Sequence, residues 1–193
     1  MELEQRLIAA VLAAAENRTA YVCYSGGIDS TLVLAACVRA GLPTVALLGV
    51  SPSLASSERE DAHRIAREIG AQVEEVATNE IESTGYRANA GDRCYYCKTS
   101  LYDTVQQLAA TRGASEVIFV GTHLDDLGEH RPGLRAAMEH GVVTPLVDAE
   151  FRKDDVRALG RACDQASERR QQIRMQTCFR FIQHQQPGRP WRE

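Results

Sequence analysis

Residues 20–40, AYVCYSGGIDSTLVLAACVRA, contain the pattern that decides the fold. The apolar run Ala20–Tyr24 predicts a buried strand, and the apolar periodicity over Asp29–Ala40 predicts a helix. Two adjacent glycines between them predict a tight turn. A strand, a glycine turn and a helix start in this order are typical of a βαβ unit, so the stretch predicts an α/β protein.

Three further apolar runs alternate with helical patterns along the chain. The predicted strands are Thr44–Val50, Gln72–Ala77 and Val117–Gly121. The predicted helices are Leu7–Ala15, Ser57–Ile69 and Cys94–Thr111. Because the strands are continuously apolar, as parallel strands covered on both sides are, we expect a doubly wound parallel sheet with helices on both faces. The loops after the first and fourth strands would then face each other across a crevice at the carboxyl ends of the strands.

Three local signals indicate where two of the helices begin or end. Ser57 with Glu60 fits a capping box at a helix start, and Gly70 fits a helix stop. Pro132 fits the first position of a further helix, because its fixed φ suits that position and its missing N–H is not needed there.

The turn Ser25–Ser30 predicts a phosphate site. Gly26 and Gly27 can aim backbone N–H groups inward, and the helix start adds free N–H groups and a positive dipole end. Ser25 and Ser30 can donate to phosphate oxygens, while Asp29 can hold a Mg²⁺ that neutralises them. The alternative is an ordinary turn with Asp29 or Ser30 as helix cap, but two glycines are more than a cap needs.

Composition indicates one domain without a membrane partner. The chain has 193 residues, 44% of them hydrophobic, and no apolar run near the roughly 18 to 20 residues that cross a bilayer. Glu2 and Glu4 stand where a signal peptide carries positive charge. The net charge of −4 argues against a nucleic-acid partner. Six scattered cysteines form no disulfide framework, which indicates the cytoplasm, and Cys23 and Cys37 are expected in the core.

The segment Asp92–Lys98 carries a C-x-x-C motif at a predicted helix start. Cys94 and Cys97 share one helix face, where the helix N-terminus lowers a thiol pKa. Four interpretations remain open: a redox dithiol, a zinc site that lacks its second ligand pair, a [4Fe–4S] cluster with Cys163 or Cys178 as third ligand, and two thiols that pack beside tyrosines.

The acidic stretch Gly121–Gly133 follows the last predicted strand. Asp125, Asp126 or Glu129 could bind Mg²⁺ or handle a proton, and Arg131 could fork onto a phosphate or carboxylate. The alternative is a solvated acidic loop with a capping aspartate. The two histidines of this stretch have no partner at metal-ligand spacing and stay unassigned.

Three motifs carry a resemblance to a known family: SGGIDSTLVL at 25–34, DRCYYCKTSLY at 92–102, and RPGLRAAMEHG at 131–141 followed by DDVRAL. The first is similar to the PP-loop of ATP pyrophosphatases, which cleave ATP between the α and β phosphates and release pyrophosphate. Together, over roughly residues 5–160, they resemble the LarE family. Its members are ATP-dependent sacrificial sulfur transferases that mature the nickel-pincer nucleotide cofactor.

The resemblance implies an adenine nucleotide alpha hydrolase-like fold, with ATP and Mg²⁺ as cofactors and a [4Fe–4S] cluster as an option. It implies that a carboxylate of a pyridinium dicarboxylate mononucleotide is adenylated and that sulfur then replaces AMP. The expected ATP-binding residues are Ser25, Gly26, Gly27, Asp29, Ser30, Gly121 and Thr122. The expected catalytic residues are Asp29, Glu129 and Cys178. The expected acceptor-binding residues are Lys98 and Arg131, with Asp29 for Mg²⁺ and Cys94, Cys97 and Cys163 or Cys178 for a cluster.

The likeness stops after Leu159, which predicts two parts. Residues 1–160 form the PP-loop ATP pyrophosphatase domain, and Arg161–Glu193 form a basic, weakly ordered tail in place of the family's C-terminal region. The tail has seven arginines and three acids, a net charge of 7 − 3 = +4, which leaves −4 − 4 = −8 for the rest. The tail suggests a truncated or frame-altered end, and it leaves open whether the chain is catalytically competent.

Two other functions remain open for such a chain. A PP-loop tRNA thiolase or another adenylating synthetase would use the same loop, and a nucleotide-binding sensor would keep ATP intact. Self-association into a homo-oligomer is also left open, while the expected partner is a small nucleotide substrate.

Overall fold

Four strands and seven helices make up the part of the chain that the structure, a computed structural model, describes: residues 2–51, 54–78, 93–112, 115–127 and 132–162. The strands are β1 Thr19–Tyr24, β2 Thr44–Val50, β3 Val73–Ala77 and β4 Glu116–Phe119. The helices are α1 Glu2–Ala15, α2 Ile28–Arg39, α3 Ser56–Ile69, α4 Arg93–Arg112, α5 Pro132–Glu139, α6 Pro145–Asp148 and α7 over residues 153–162. A 3₁₀ turn covers Leu124–Asp126.

The strands form one parallel sheet in the order β3-β2-β1-β4. Tyr21 in β1 pairs with Val45 on one side and Ile118 on the other. The chain moves outward from β1 through β2 to β3 and then returns to the other side of β1. The strand order therefore reverses between β1 and β4, and a crevice opens there at the carboxyl ends of the strands.

The two faces of the sheet are covered by different helices. Alternate residues of β1, Ala20 and Val22, face a core built with α1, α2, α3 and α6. Tyr21 faces the opposite core, where Val105 and Ala109 of α4 pack. Because successive side chains of a strand point to opposite faces, a strand that packs helices on both sides must be apolar throughout. The predicted doubly wound sheet is confirmed.

The helix ends agree with the sequence in two places and differ in one. Gly70 ends α3 with φ of 88°, and α5 begins at Pro132, both as predicted. The capping box predicted at Ser57 is wrong, because α3 begins at Ser56 with Ala55 as its N-cap and no side chain bonds there. The N-cap therefore lies two residues before Ser57, and the Ser57 hydroxyl does not cap the helix.

The last described helix passes the predicted domain boundary at residue 160. α7 continues through residue 162, and the remainder of the predicted tail lies outside the described residues. None of the helices in the described ranges is long and apolar enough to cross a membrane.

Candidate active site

The predicted phosphate loop connects β1 to α2 at the reversal of strand order. Gly26 has φ of +77°, and a Cβ built there would lie 3.1 Å from Cβ of Ala62 in α3. Both the backbone angle and the neighbouring helix therefore require glycine at this position. Gly27 has extended backbone angles and is the N-cap of α2, with no side chain bonded at the cap. Neither Asp29 nor Ser30 caps the helix, so the simple capping alternative is wrong.

Two serine hydroxyls meet inside this loop. Oγ of Ser30 lies 3.2 Å from Oγ of Ser25 and accepts a hydrogen bond of 3.2 Å from the Ser25 backbone N–H. The same hydroxyl lies 3.1 Å from the carbonyl oxygen of Gly27, to which it can donate. Ser30 is buried, whereas Ser25 is exposed. These bonds hold the turn in one shape before any ligand arrives.

The end of β4 touches the start of α2 through Gly121. A Cβ built on Gly121 would lie 2.6 Å from the backbone N of Ser30 and 2.7 Å from the carbonyl carbon of Asp29. No side chain fits at that distance, so the contact depends on glycine. It confirms that the loops after the first and fourth strands meet across the crevice.

The carboxylate of Asp29 is paired with a lysine that the sequence reasoning missed. Nζ of Lys153, at the start of α7, lies 2.8 Å from both Oδ1 and Oδ2 of Asp29. Both side chains are about one third exposed. One signal in the sequence could have pointed to Lys153: the chain has twenty arginines but only two lysines, Lys98 and Lys153.

Asp125, one of the acids that the sequence suggests for Mg²⁺ binding or proton handling, lies against the start of α7. Its Oδ2 accepts a hydrogen bond of 2.7 Å from the backbone N–H of Lys153, and its Oδ1 lies 3.0 Å from Nη1 of Arg152. The Lys153 N–H, followed by Arg152, lowers the pKa of Asp125. Asp125 therefore anchors the start of α7, which in turn places Lys153 beside Asp29.

Asp126 is the acid of this loop that reaches the crevice. It lines the central cavity, and its Oδ2 accepts a hydrogen bond of 3.1 Å from the backbone N–H of His123. The His123 ring is buried, and its Nε2 lies 3.4 Å from the same carboxylate oxygen. The described residues thus separate the two acids into an anchor and a cavity-lining group.

A cavity of about 580 Å³ fills the crevice, a volume that suits a nucleotide-sized ligand. One part of the lining is polar and includes the hydroxyls and N–H groups of the loop. The rest, called here the upper wall, is largely apolar, and Lys98 of α4 also lines the cavity. The polar lining includes Ser25, Gly27, Asp29, Ser30, Gly121, Thr122 and Asp126, and the upper wall includes Leu48, Gly49, Leu54, Leu101 and Tyr102.

Cys23 lies on the floor of this cavity. Burial raises the pKa of its thiol to about 12, and the nearby Lys98 only partly offsets that effect. Burial also raises the pKa of Cys37 to about 12. Both thiols are therefore protonated at neutral pH and pack as predicted, against the apolar core.

The chemistry of Asp29 suits Mg²⁺, which takes one or two carboxylates and fills its other positions with phosphate oxygens and water. The described residues contain no group of three or more metal-binding side chains, so a full protein cage is not present among them. In the C-x-x-C motif, Cys94 and Cys97 lie in the first turns of α4. Their thiols are outside the description, as are Glu129, Arg131, Cys163 and Cys178, so these six assignments remain predictions.

Two curated relatives match most of the chain. An uncharacterised protein of Synechocystis sp. is 45% identical over 141 residues, which are 72% of this chain and 52% of that protein. A pyridinium-3,5-bisthiocarboxylic acid mononucleotide synthase of Lactiplantibacillus plantarum is 36% identical over 140 residues, 72% of this chain and 50% of that enzyme. The chain therefore spans about half the length of the curated relatives it matches. No protein-family model matches it.

Solved structures show the same fold. An NMN synthetase from Francisella tularensis superposes with a TM-score of 0.63 at 19% identity, over 84% of this chain and 70% of that one. A tRNA thiolase from Methanococcus maripaludis, solved with its [4Fe–4S] cluster, gives a TM-score of 0.62 at 14% identity, over 84% and 63%. These likenesses show the fold, and the sequence relatives confirm the LarE resemblance.

Proposed function

We propose that this chain, which has the fold of the PP-loop synthetases and resembles the LarE family, is an ATP-dependent sulfur transferase of nickel-pincer cofactor biosynthesis. Its substrate would be a pyridinium dicarboxylate mononucleotide, one carboxylate of which is adenylated before sulfur replaces AMP. The observation that carries the proposal is that one cavity is lined both by the loop Ser25–Ser30 and by Lys98. The relative of known function, a pyridinium-3,5-bisthiocarboxylic acid mononucleotide synthase, supports the choice of acceptor.

The loop end would bind the triphosphate of ATP. The backbone N–H groups at the start of α2 and the hydroxyls of Ser25 and Ser30 present donors to phosphate oxygens. Mg²⁺ bound at Asp29 would supply the positive charge between that carboxylate and the phosphates. Lys153 already lies within 2.8 Å of Asp29, so it can donate to the pyrophosphate oxygens as charge builds up on them.

The upper wall would take the adenine ring. Leu48, Leu54 and Leu101 offer apolar contacts at the carboxyl end of β2 and along α4. Gly49 keeps this wall open, since a Cβ there would lie 3.3 Å from Cγ2 of Thr78 and 3.7 Å from Cδ1 of Leu101. An adenine against this wall and phosphates at the loop would leave the α phosphorus near the middle of the cavity.

Lys98 would bind the acceptor. A pyridinium mononucleotide with two carboxylates is anionic, so an approach to the ATP phosphates needs a compensating cation. Lys98 lines the same cavity as the loop, and Arg131 is the second candidate from the sequence. An acceptor carboxylate oxygen held there can attack the α phosphorus, and pyrophosphate leaves as the P–O bond breaks.

Sulfur transfer would follow at the acyl adenylate. A sulfur nucleophile forms a bond to the acyl carbon, and AMP leaves with the electrons of the C–O bond. Cys178 as a sacrificial cysteine, or a cluster on Cys94, Cys97 and Cys163 or Cys178 that supplies sulfide, are the two sources that the resemblance implies. Glu129 is the candidate for proton handling in this step.

The test is to supply Mg·ATP and the pyridinium dicarboxylate mononucleotide, and to measure pyrophosphate release together with the mass of the acceptor. We expect pyrophosphate and AMP to be released only when the acceptor is present. We also expect part of the acceptor to be found as its adenylate, bound to the protein. ATP that binds but stays intact with this acceptor would contradict the proposal and favour a nucleotide sensor. Pyrophosphate release that needs tRNA instead would favour a thiolase.

A further inference from the structure

Gly133, the second residue of α5, is buried and lies against the side chain of Lys98. A Cβ built on Gly133 would lie 2.8 Å from Cδ of Lys98 and 3.1 Å from both its Cε and its Nζ. These are the three nearest heavy atoms to that position. Gly133 is not among the glycines with positive φ, so its backbone does not require glycine. The space that a side chain of residue 133 would fill is therefore occupied by the side chain of Lys98.

The packing of α5 on α4 explains why the two residues meet. Ala136 and Ala137 follow Gly133 at the spacing of one helix face, and both are buried with Tyr102 of α4. Small residues on this face let α5 lie close to α4. The end of the Lys98 side chain, from Cδ to Nζ, lies against Gly133, and Lys98 also lines the cavity.

This packing holds Lys98 by its stem and leaves its charge available. Within the described ranges, no carboxylate forms an ion pair with Lys98, whereas Lys153 is paired with Asp29. A lysine that is already ordered by packing loses less rotamer freedom when a ligand binds. An ammonium without a carboxylate partner among the described residues suits an anionic acceptor.

We propose that Gly133 is a positioning residue for Lys98, and that the gap at Gly133 sets where the ammonium meets the acceptor. The inference rests on the proposed function for its catalytic meaning, although the position of Lys98 can be tested without it. In Gly133→Ala the new methyl group displaces the lysine stem. Because small displacements of a binding group have large effects, kcat/KM for the acceptor should fall by about 10- to 100-fold. ATP affinity should not change.

The first experiment measures the lysine itself in the nucleotide-free protein. Competitive acylation followed by mass spectrometry compares the reactivity of Lys98 and Lys153, the chain's two lysines. We expect Gly133→Ala to raise the labelling rate of Lys98 at least twofold, while Lys153 serves as the internal reference. Equal rates in the parent and the variant would overturn the proposal.

The second experiment is a double-mutant cycle with Lys98→Met. If Gly133 acts through Lys98, Gly133→Ala should reduce acceptor-dependent kcat/KM in the parent and have no effect in Lys98→Met. Equal losses in both backgrounds would assign Gly133 a purely structural role and overturn the proposal. Alanine is the better helix former, so Tm should not fall in Gly133→Ala. Met138→Ala, on the same helix at a position 82% exposed, is the matched control.

The two proposals can fail separately. If the parent releases no pyrophosphate with the acceptor, the proposed function is wrong, and the labelling experiment still decides the role of Gly133. If the parent adenylates the acceptor but Lys98 reactivity is unchanged in Gly133→Ala, only the positioning role is wrong.

Discussion

The two walls of the crevice are built in different ways. The loop wall, Ser25–Ser30, is held by hydrogen bonds within six residues and by a backbone contact with Gly121. The helix wall, α4 and α5, is held by side-chain packing between Lys98, Gly133 and a small cluster of buried residues. Backbone geometry leaves little freedom at the first wall, whereas side-chain size sets the shape of the second. In the proposed reaction, ATP activation therefore depends on the rigid wall, and the choice of acceptor depends on the adjustable one.

The two lysines show the same contrast. Lys153 is fixed by an ion pair with Asp29 and by the bond from its backbone N–H to Asp125. Lys98 is fixed by the packing of its stem on Gly133. In the proposed reaction, Lys153 would balance charge beside the ATP phosphates, whereas Lys98, which has no carboxylate partner in the described ranges, would bind the anionic acceptor. Changes at the two walls should consequently affect different steps.

The largest effect is expected for Asp29→Ala at the loop wall. Loss of this carboxylate removes the partner of Lys153 and the candidate Mg²⁺ ligand, so ATP–pyrophosphate exchange should fall by about 100- to 1,000-fold. The matched control is Asp154→Asn, an acid on α7 whose side chain is 94% exposed and pairs only with Arg157 in the described ranges. ATP–pyrophosphate exchange at the parent rate in Asp29→Ala would contradict a role of the loop wall in the reaction.

Gly121→Ala should have the next largest effect, because its new methyl group would meet backbone atoms of α2 and not a movable side chain. We expect a loss of about 1–3 kcal/mol in the free energy of unfolding, together with weaker Mg·ATP binding by calorimetry. Gly141→Ala is the control, since that glycine has φ of +62° and no neighbour within 4 Å. It should lower stability through backbone strain and leave Mg·ATP affinity unchanged.

Lys98→Ala tests the helix wall alone. Loss of an ion pair in a dehydrated site costs about 2 to 5 kcal/mol, so acceptor-dependent pyrophosphate release should fall more than tenfold at fixed acceptor concentration. Arg131→Ala should act in the same direction. Mg·ATP binding should stay at the parent value in both. If both variants adenylate the acceptor normally, the acceptor does not bind at this wall.

The smallest effect is expected at a site away from both walls. Hydrogen bonds from Arg59 and then His63 lower the pKa of Glu75 from its ordinary value of 4.5 to about 2. A carboxylate with a lowered pKa stabilises the fold above its unfolded pKa, and that stability is lost as pH falls from about 4.5 to 2. Because these side chains are partly exposed, Glu75→Gln should cost about 1 kcal/mol or less at neutral pH.

Urea unfolding at several pH values checks this prediction. The stability difference between parent and Glu75→Gln should shrink as pH falls from about 4.5 towards 2. Glu60→Gln, an exposed position on the same helix, is the control. ATP–pyrophosphate exchange at neutral pH should be the same in all three proteins, and a change would mean that the α3–β3 contact also shapes the cavity.

Local patterns in the sequence determined the sheet, the helices and the phosphate loop. Apolar runs located the strands to within about two residues, because a strand covered on both faces is largely apolar. The exception is β3 at the edge of the sheet, which carries Glu74 and Glu75. The glycines also predicted the tight turn of the loop, since a tight turn before a helix uses few residue types. The capping box at Ser57 was wrong, because Ser56 and Ser57 both stand at the start of α3 and a short motif does not show that the N-cap lies two residues before Ser57.

Only the tertiary structure decided which charged residues serve the site. Asp125 and Asp126 are neighbours in the sequence, yet one anchors α7 and the other lines the cavity. Lys153 comes to Asp29 from 124 residues away, and Lys98 meets Gly133 where two helices pack. Such partners depend on how the helices and strands pack in three dimensions. The spacing of residues along the chain does not predict that packing. The sequence by itself determined the elements and the loop chemistry, while packing decided which side chains meet.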